Sequence, residues 1–266
     1  MRLQAYVRFG RDALRSGGLA PAVRALSRKT WSSSDALGLG RDLRRPHTAP
    51  RAAVPITVRP MTPADAPAIL EAGTTLTPEE NWDRRSRRLL LESGIGRPYV
   101  AVTADNEPCY VQWLFGEADN HDVHRFFAGI FPTLRPGQAL LEGAFTPTVH
   151  RGKKIMSEAM SLIAERAEDL DAHHVLTFVG TDNPASLKGC ARAGFTDEIA
   201  RRIDTRLGHR RVDFTALPAR ANAATGEKAR ASAATGEKDG AAVPAPRAAA
   251  PVGERTRETA GSAARA

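Results

Sequence analysis

Three apolar runs, Pro98 to Thr103 (PYVAVT), Pro108 to Phe115 (PCYVQWLF) and Ala139 to Thr146 (ALLEGAFT), follow one another with no helical pattern between them. Each is short, and β-branched and aromatic residues fill the first two, so all three read as strands. Strands that follow each other without a crossover helix pair antiparallel, and the turn Ala104 to Glu107 is short enough to join the first two directly. The block therefore commits the chain to a sheet built on an antiparallel meander, which helices from elsewhere in the sequence must cover.

Those helices flank the block. Ile56 to Met61 (ITVRPM) reads as an earlier strand. It is followed by a helix with Thr62 as N-cap and Pro63 at its first position, and then by a second helix with Thr77 and Glu80 in capping-box spacing around Pro78. After the meander, Pro147 stops the strand. Met156, Met160, Ile163, Ala167 and Leu170 then recur with helical spacing. His174 to Gly180 (HVLTFVG) is a buried strand, Asn183 and Pro184 open a helix that closes at Gly194, and Ile199 to Arg206 with Arg210 to Phe214 form a closing hairpin. The expected order is β-α-α-β-β-β-α-β-α-β-β, an α/β chain with a mixed central sheet.

This compact region spans residues 54–217. Before it, residues 1–53 form a basic, partly amphipathic arm: residues 1 to 51 hold eleven Arg or Lys against three Asp or Glu, which accounts for the whole net charge of +8. Such an arm can lie on an anionic membrane surface, contact nucleic acid, pack back on its own domain or stay disordered. Its low acidity with its Arg and Ser content also resembles an organellar transit peptide. After it, residues 218–266 are Ala, Gly, Pro, Arg, Glu and Thr with AATGEK repeated at Ala223 and Ala233, a composition that buries little and is expected to be disordered. No apolar run reaches the roughly 20 residues that span a bilayer, and no secretory signal is read. Two cysteines, Cys109 and Cys190, cannot frame a disulfide fold or a zinc site, so a cytoplasmic setting is expected.

Between the third meander strand and the next helix lies the basic turn VHRGKKIM, Val149 to Met156. A helix start presents backbone N–H groups without intrahelical partners and the positive end of the macrodipole, so this turn suits a phosphate. The alternative is a solvated basic turn. Taken with the element order, the turn resembles the GNAT family of acyl-CoA-dependent N-acyltransferases over roughly Ile56 to Thr215. RGKKIM falls on that family's Arg/Gln-x-x-Gly-x-Gly/Ala motif, and Asn183, Gly194 and Phe195 match its Asn-led helix ending in Gly-Phe. Lys154 and Met156 stand where the family has small residues.

The resemblance implies acetyl-CoA as cosubstrate. Its diphosphate would lie on Arg151, Gly152, Lys153, Lys154, Ile155 and Met156, with its pantetheine arm along Ala144, Phe145 and Thr146 and near Asn183. A backbone N–H of Phe145 or a neighbour would meet the thioester carbonyl. Counting back four from Gly194, the position of the family's tyrosine proton donor is Cys190, which can equally be inert packing; Ser186 is a second donor. Glu142 is the candidate base, against a solvent-facing place on an alternating strand. No metal is expected: His121 and His124 lack a third ligand, and their segment, Glu117 to Pro136, reads as part of an acceptor pocket. Arg84, Arg85, Arg87 and Arg88 read as a solvated helix face, the alternative being attraction of an acidic acceptor. The implied function is an N-acetyltransferase acting on a small-molecule or peptide amine. A catalytically silent module that binds coenzyme A or a partner is the other reading.

Overall fold

The computed structural model describes residues 31–207 and 209–218. The expectations for residues 1–30 and for the tail from 219 lie outside the described residues. Eight strands run β1 (Trp31–Asp42), β2 (Ile56–Pro60), β3 (Arg97–Thr103), β4 (Pro108–Phe115), β5 (Gln138–Phe145), β6 (His174–Gly180), β7 (Thr196–Arg206) and β8 (His209–Ala216). The α-helices among the described residues are α1 (Asp65–Leu70), α2 (Pro78–Glu92), α3 (Asn120–Phe126), α4 (Ile155–Glu165) and α5 (Pro184–Arg192). One mixed sheet has the order β2-β3-β4-β5-β6-β1-β7-β8. The meander β3-β4-β5 is antiparallel, and β5 runs parallel to β6.

Helices cover both faces. Ile155, Ala159, Met160 and Ile163 of α4 and Cys190 of α5 pack on Tyr110, Leu114, Leu141 and Val175. On the other face Ile69 and Leu70 of α1, Leu90 of α2 and Val123 of α3 pack on Val111, Trp113, Leu140, Phe145 and Phe178. Leu140 and Leu141 are neighbours in the chain and lie in opposite cores, as the two-residue period of a strand requires.

The order expected from the sequence is present, with one strand and one helix more. Trp31–Asp42 falls inside the segment assigned to the arm, yet it is a twelve-residue strand lying antiparallel between β6 and β7. Its serine run and its glycines lower strand propensity, and tertiary fit overrides that preference. A Cβ on Gly38 would lie 2.7 Å from the Phe178 ring, so the bare backbone is what lets β1 pass under that side chain. The sheet domain therefore begins before residue 54.

Smaller differences concern helix starts. Helix α1 opens at Asp65, and Thr62 caps nothing: its N–H and hydroxyl donate to the Asp65 carboxylate at 2.7 and 2.8 Å. Asp65 also takes both Arg59 Nη groups at 2.7 Å, and these bonds hold its carboxyl down at about 2. In α2 the Thr77 hydroxyl accepts from Glu80 N–H as a capping box requires, while the Glu80 carboxylate turns instead to Arg84 and Thr148. The segment between β4 and β5 is not all loop, since α3 forms within it.

Candidate active site

Strands β5 and β6 pair from Gln138↔His174 only as far as Leu141↔Thr177, although β5 continues to Phe145 and β6 to Gly180. Two strands that stop pairing at their carboxyl ends leave a crevice, the usual place for a ligand in an α/β sheet. Here a cleft of about 580 Å³ opens, floored by the end of β5 and walled by the start of α4, by α5 and by α2.

At the floor, β5 bulges. Val111 faces Phe145 and Trp113 faces Glu142, so Gly143 and Ala144 together oppose the single residue Gln112, with Gly143 at φ 72°. The bulge turns the last residues of the strand toward the cleft, and Ala144, Phe145 and Thr146 all line it. Tyr110 on β4 lines it from beneath, its hydroxyl donating to Gln112 Oε1 at 2.7 Å.

The turn into α4 forms the next wall. Arg151, Gly152, Lys154, Ile155 and Met156 line the cleft. Glu158 N–H closes on Lys154 O at 3.4 Å, so the amides of Ile155, Met156 and Ser157 precede the helix's own hydrogen-bonded ladder and stand at its positive end. Gly152 and Lys154 are both left-handed, at φ 79° and 59°. Lysine in this conformation costs about 1 kcal/mol that glycine would not. Lys154→Gly is therefore expected to raise stability by up to about 1 kcal/mol while weakening binding of a polyphosphate ligand through the lost cation, read by thermal melts and calorimetry on the same protein. Arg151 is held against the strand end by its Nε–H, which donates to Thr146 O at 3.0 Å. Lys153 does not line the cleft; its carbonyl accepts from Ala53 N–H at 2.8 Å.

Helix α5 supplies the third wall. Asn183 caps it, accepting from Ser186 N–H at 3.0 Å, and both residues line the cleft. Lys188 and Arg192, one helical turn apart, extend the basic rim. Met156 reaches across to this helix: a Cβ on Gly189 would lie 2.9 Å from its sulfur.

Besides Lys153, two more expected site residues lie off the cleft lining. Cys190 is completely buried, does not line the cleft, and burial pushes its thiol up to about 12. Of the two readings held for this position, the structure places the thiol among the packing residues: Gly189 and Tyr110 line the cleft and Cys190 packs behind them. Glu142 is partly exposed and also lies off the cleft lining, opposite Trp113 on the α2 face of the sheet. Its Oε1 accepts from Gly143 N–H at 3.0 Å, and burial raises its pKa against the opposing pull of that bond, Arg87 and Arg201.

Sequence reasoning passed over Arg87, Asp83, His150 and Tyr110 as cleft residues. The arginine run on α2 was visible, and its face was not. Arg84 is buried, Arg87 half-buried, and only Arg85 and Arg88 are solvated as expected. His150 carried a weak signal, next to the basic turn; it is buried with Nε2 at 3.3 Å from Glu107. Among the described residues no group of three or more His, Cys, Asp or Glu is placed to hold a metal ion, and no helix is long and apolar enough to cross a membrane.

The model of the acetyltransferase (GNAT) domain matches residues 56–196. No curated protein matches the chain. Among solved structures, similarity is found to a GNAT-family acetyltransferase from Colwellia psychrerythraea, with 13% identity, TM-score 0.42, and coverage of 74% of this chain and 62% of that one. A GCN5-related N-acetyltransferase from Sphaerobacter thermophilus gives 17% identity and TM-score 0.41, covering 71% of this chain and 58% of that one. A tandem GNAT protein from the clavulanic acid biosynthesis pathway gives 17% identity and TM-score 0.42, covering 76% and 60%. The chain thus spans about three fifths of the length of these structures. The matched region holds β2 to β6 with the splayed strand pair, the bulge and the basic turn, and with more than half of its residues under the family model the chain belongs to the GNAT acetyltransferase family.

Proposed function

We propose that the protein is an acetyl-CoA-dependent N-acetyltransferase that transfers an acetyl group to an amine by direct attack in a ternary complex. The observation that carries this reading is the joining, in one cleft, of the bulged end of β5, the amide-bearing start of α4 and a basic rim of Arg151, Lys154, Lys188 and Arg192. A cosubstrate whose pantetheine arm separates a diphosphate from a thioester suits that arrangement in charge and in reach. When bound, acetyl-CoA supplies the activated acetyl group.

The residues divide the work as follows. The first-turn amides of α4 with Arg151, Gly152 and Lys154 hold phosphate oxygens, and Asn183 keeps the start of α5 beside the splayed strands. The backbone at Ala144, Phe145 and Thr146 offers N–H groups to the thioester carbonyl. Glu142, made more basic by burial, takes the proton from an amine that approaches on the α2 face of the sheet, and the Ser186 hydroxyl relays a solvent proton to the departing thiolate. Lys153 contributes charge to the turn without contacting the ligand. Cys190 serves as packing behind the cleft wall in this reading, since its buried thiol does not line the cleft. The amine is a small molecule or a peptide, chosen by loops of the pocket.

Titrating acetyl-CoA into the full chain by calorimetry tests this. Binding is expected, and Arg151→Ala is expected to weaken it roughly 10-fold, the worth of one charge-assisted contact. Absence of binding to the folded wild type would overturn the proposal. The burial of Cys190 favours one competing reading, a module that binds coenzyme A without turnover. That reading predicts the same binding with no release of free thiol across a panel of amines.

A further inference from the structure

Helix α2 grips the cleft floor through three charged residues spaced i, i+4 and i+7, where an amphipathic helix would ordinarily place apolar ones. The Glu80 carboxylate accepts from the hydroxyl of Thr148, just past the strand. The guanidiniums of Arg84 and Arg87 lie 5.6 and 5.9 Å from the centre of the Phe145 ring. Arg87 goes furthest: its Nε–H donates to Gly143 O at 3.3 Å and its Nη2–H to Ala144 O at 3.0 Å. These are the carbonyls of the two bulge residues, which a β-ladder leaves poorly satisfied. Its Nη1 is anchored in turn by Asp83 Oδ1 at 2.7 Å and Ser86 Oγ at 3.0 Å.

A planar guanidinium fixes two carbonyls at once, which an ammonium cannot do. Because the Ala144 carbonyl and the Phe145 N–H belong to the same peptide plane, holding the first orients the second. We propose that Arg87 is a positioning residue: it locks the β5 bulge so that the Ala144–Phe145 peptide presents its N–H to an acyl carbonyl in the cleft. This rests on the reading of the cleft as an acetyl-CoA site. Arg87 acts through the backbone and transfers no proton.

The test uses the full-length protein, Arg87→Lys, which keeps the charge and loses the fork, and Asp83→Asn, which frees the anchor and leaves the guanidinium. Hydrogen exchange of the unliganded protein is read over Gly143 to Thr146, and calorimetry is run with coenzyme A and with acetyl-CoA. In Arg87→Lys these amides are expected to exchange about 10-fold faster, with a smaller acceleration in Asp83→Asn. Wild type is expected to prefer acetyl-CoA to coenzyme A by about fivefold, the worth of one net hydrogen bond, and Arg87→Lys to lose that preference while its affinity for coenzyme A stays within twofold.

Unchanged exchange over Gly143 to Thr146 in both variants overturns the proposal. So does an equal loss of affinity for both ligands in Arg87→Lys, which would make Arg87 a phosphate ligand, or a wild type indifferent to the acetyl group. If wild type binds neither ligand, the acetyl-CoA reading fails and the carbonyl role of the bulge fails with it. Accelerated exchange would then still establish Arg87 as the clamp of the bulge.

Discussion

Glu142→Gln is expected to lower turnover by roughly 10²–10⁴-fold, the usual contribution of a general base, while leaving affinity for acetyl-CoA unchanged. The amide keeps the shape of the side chain and cannot take the proton. The pH dependence has a definite sign. Burial raises the Glu142 pKa above its ordinary 4.5, so wild-type turnover should climb as pH rises through that raised value and then level off, and the variant should lack this limb. Stability moves the other way. The folded state holds the Glu142 proton more tightly than the unfolded state, so the stability linked to that proton is fully present below 4.5 and is lost as pH rises through the folded pKa. Gln carries no such loss. Melting curves from pH 4 to pH 8 should therefore show the variant gaining on wild type as pH rises. A variant that keeps its turnover would remove Glu142 from the reaction.

The second large effect concerns stability. Arg84 and Glu80 are both buried, at 8% and 4% exposure, and pair at 3.0 Å within α2. Arg84 also donates to Ala68 O and Glu71 O at 3.2 and 3.4 Å, where α1 ends. Arg84→Met keeps the volume, leaves Glu80 as an uncompensated buried carboxylate and strips both carbonyls of their donor. A loss of about 3–5 kcal/mol is expected, roughly 6–20 °C in melting temperature for a domain of this size. Burial works to raise the Glu80 pKa, but the bonds from Thr148 and Arg84 outweigh it and the carboxyl is lowered. The loss should therefore be greatest well above the ordinary 4.5 and shrink as the pH falls and Glu80 takes a proton. Adding Glu80→Gln should recover a large part, because the remaining partner no longer carries a charge. Two substitutions that simply added would contradict the coupling.

Elements whose pattern is local were readable in the sequence. The meander, the stripe of α4, and the caps at Thr77 and Asn183 follow from periodicity and from residues within one turn of each other. The basic turn and the end of β5 were likewise legible, since a helix start after a strand is a one-dimensional signal, and Ala144 to Thr146, Arg151, Gly152 and Asn183 do meet in one cleft. What escaped depends on distant partners. Strand β1 is set by Phe178 and by the gap between β6 and β7, which Ser32 to Gly40 do not announce. Arg87 looks like its solvated neighbours Arg85 and Arg88 until the bulge of β5 is laid beside it. Cys190 was placed by counting along a helix. Counting fixes a position along the axis but not whether Gly189 or Cys190 meets the cleft.

The position of β1 also bears on how the protein is made. Strand β7 reaches the rest of the sheet only by way of β1, which is synthesised before every other described strand and whose partners β6 and β7 are among the last. On the ribosome this segment has nothing to pair with until almost the whole domain has emerged, so sheet closure is a late step spanning nearly the full sequence separation of the domain. Until then β6 keeps an open edge beside a parallel neighbour, the kind of surface that recruits other chains. Chaperone capture of the nascent polypeptide, and aggregation of any product lacking Trp31 to Asp42, are the outcomes expected when the middle of a sheet is given to the strand that is made first.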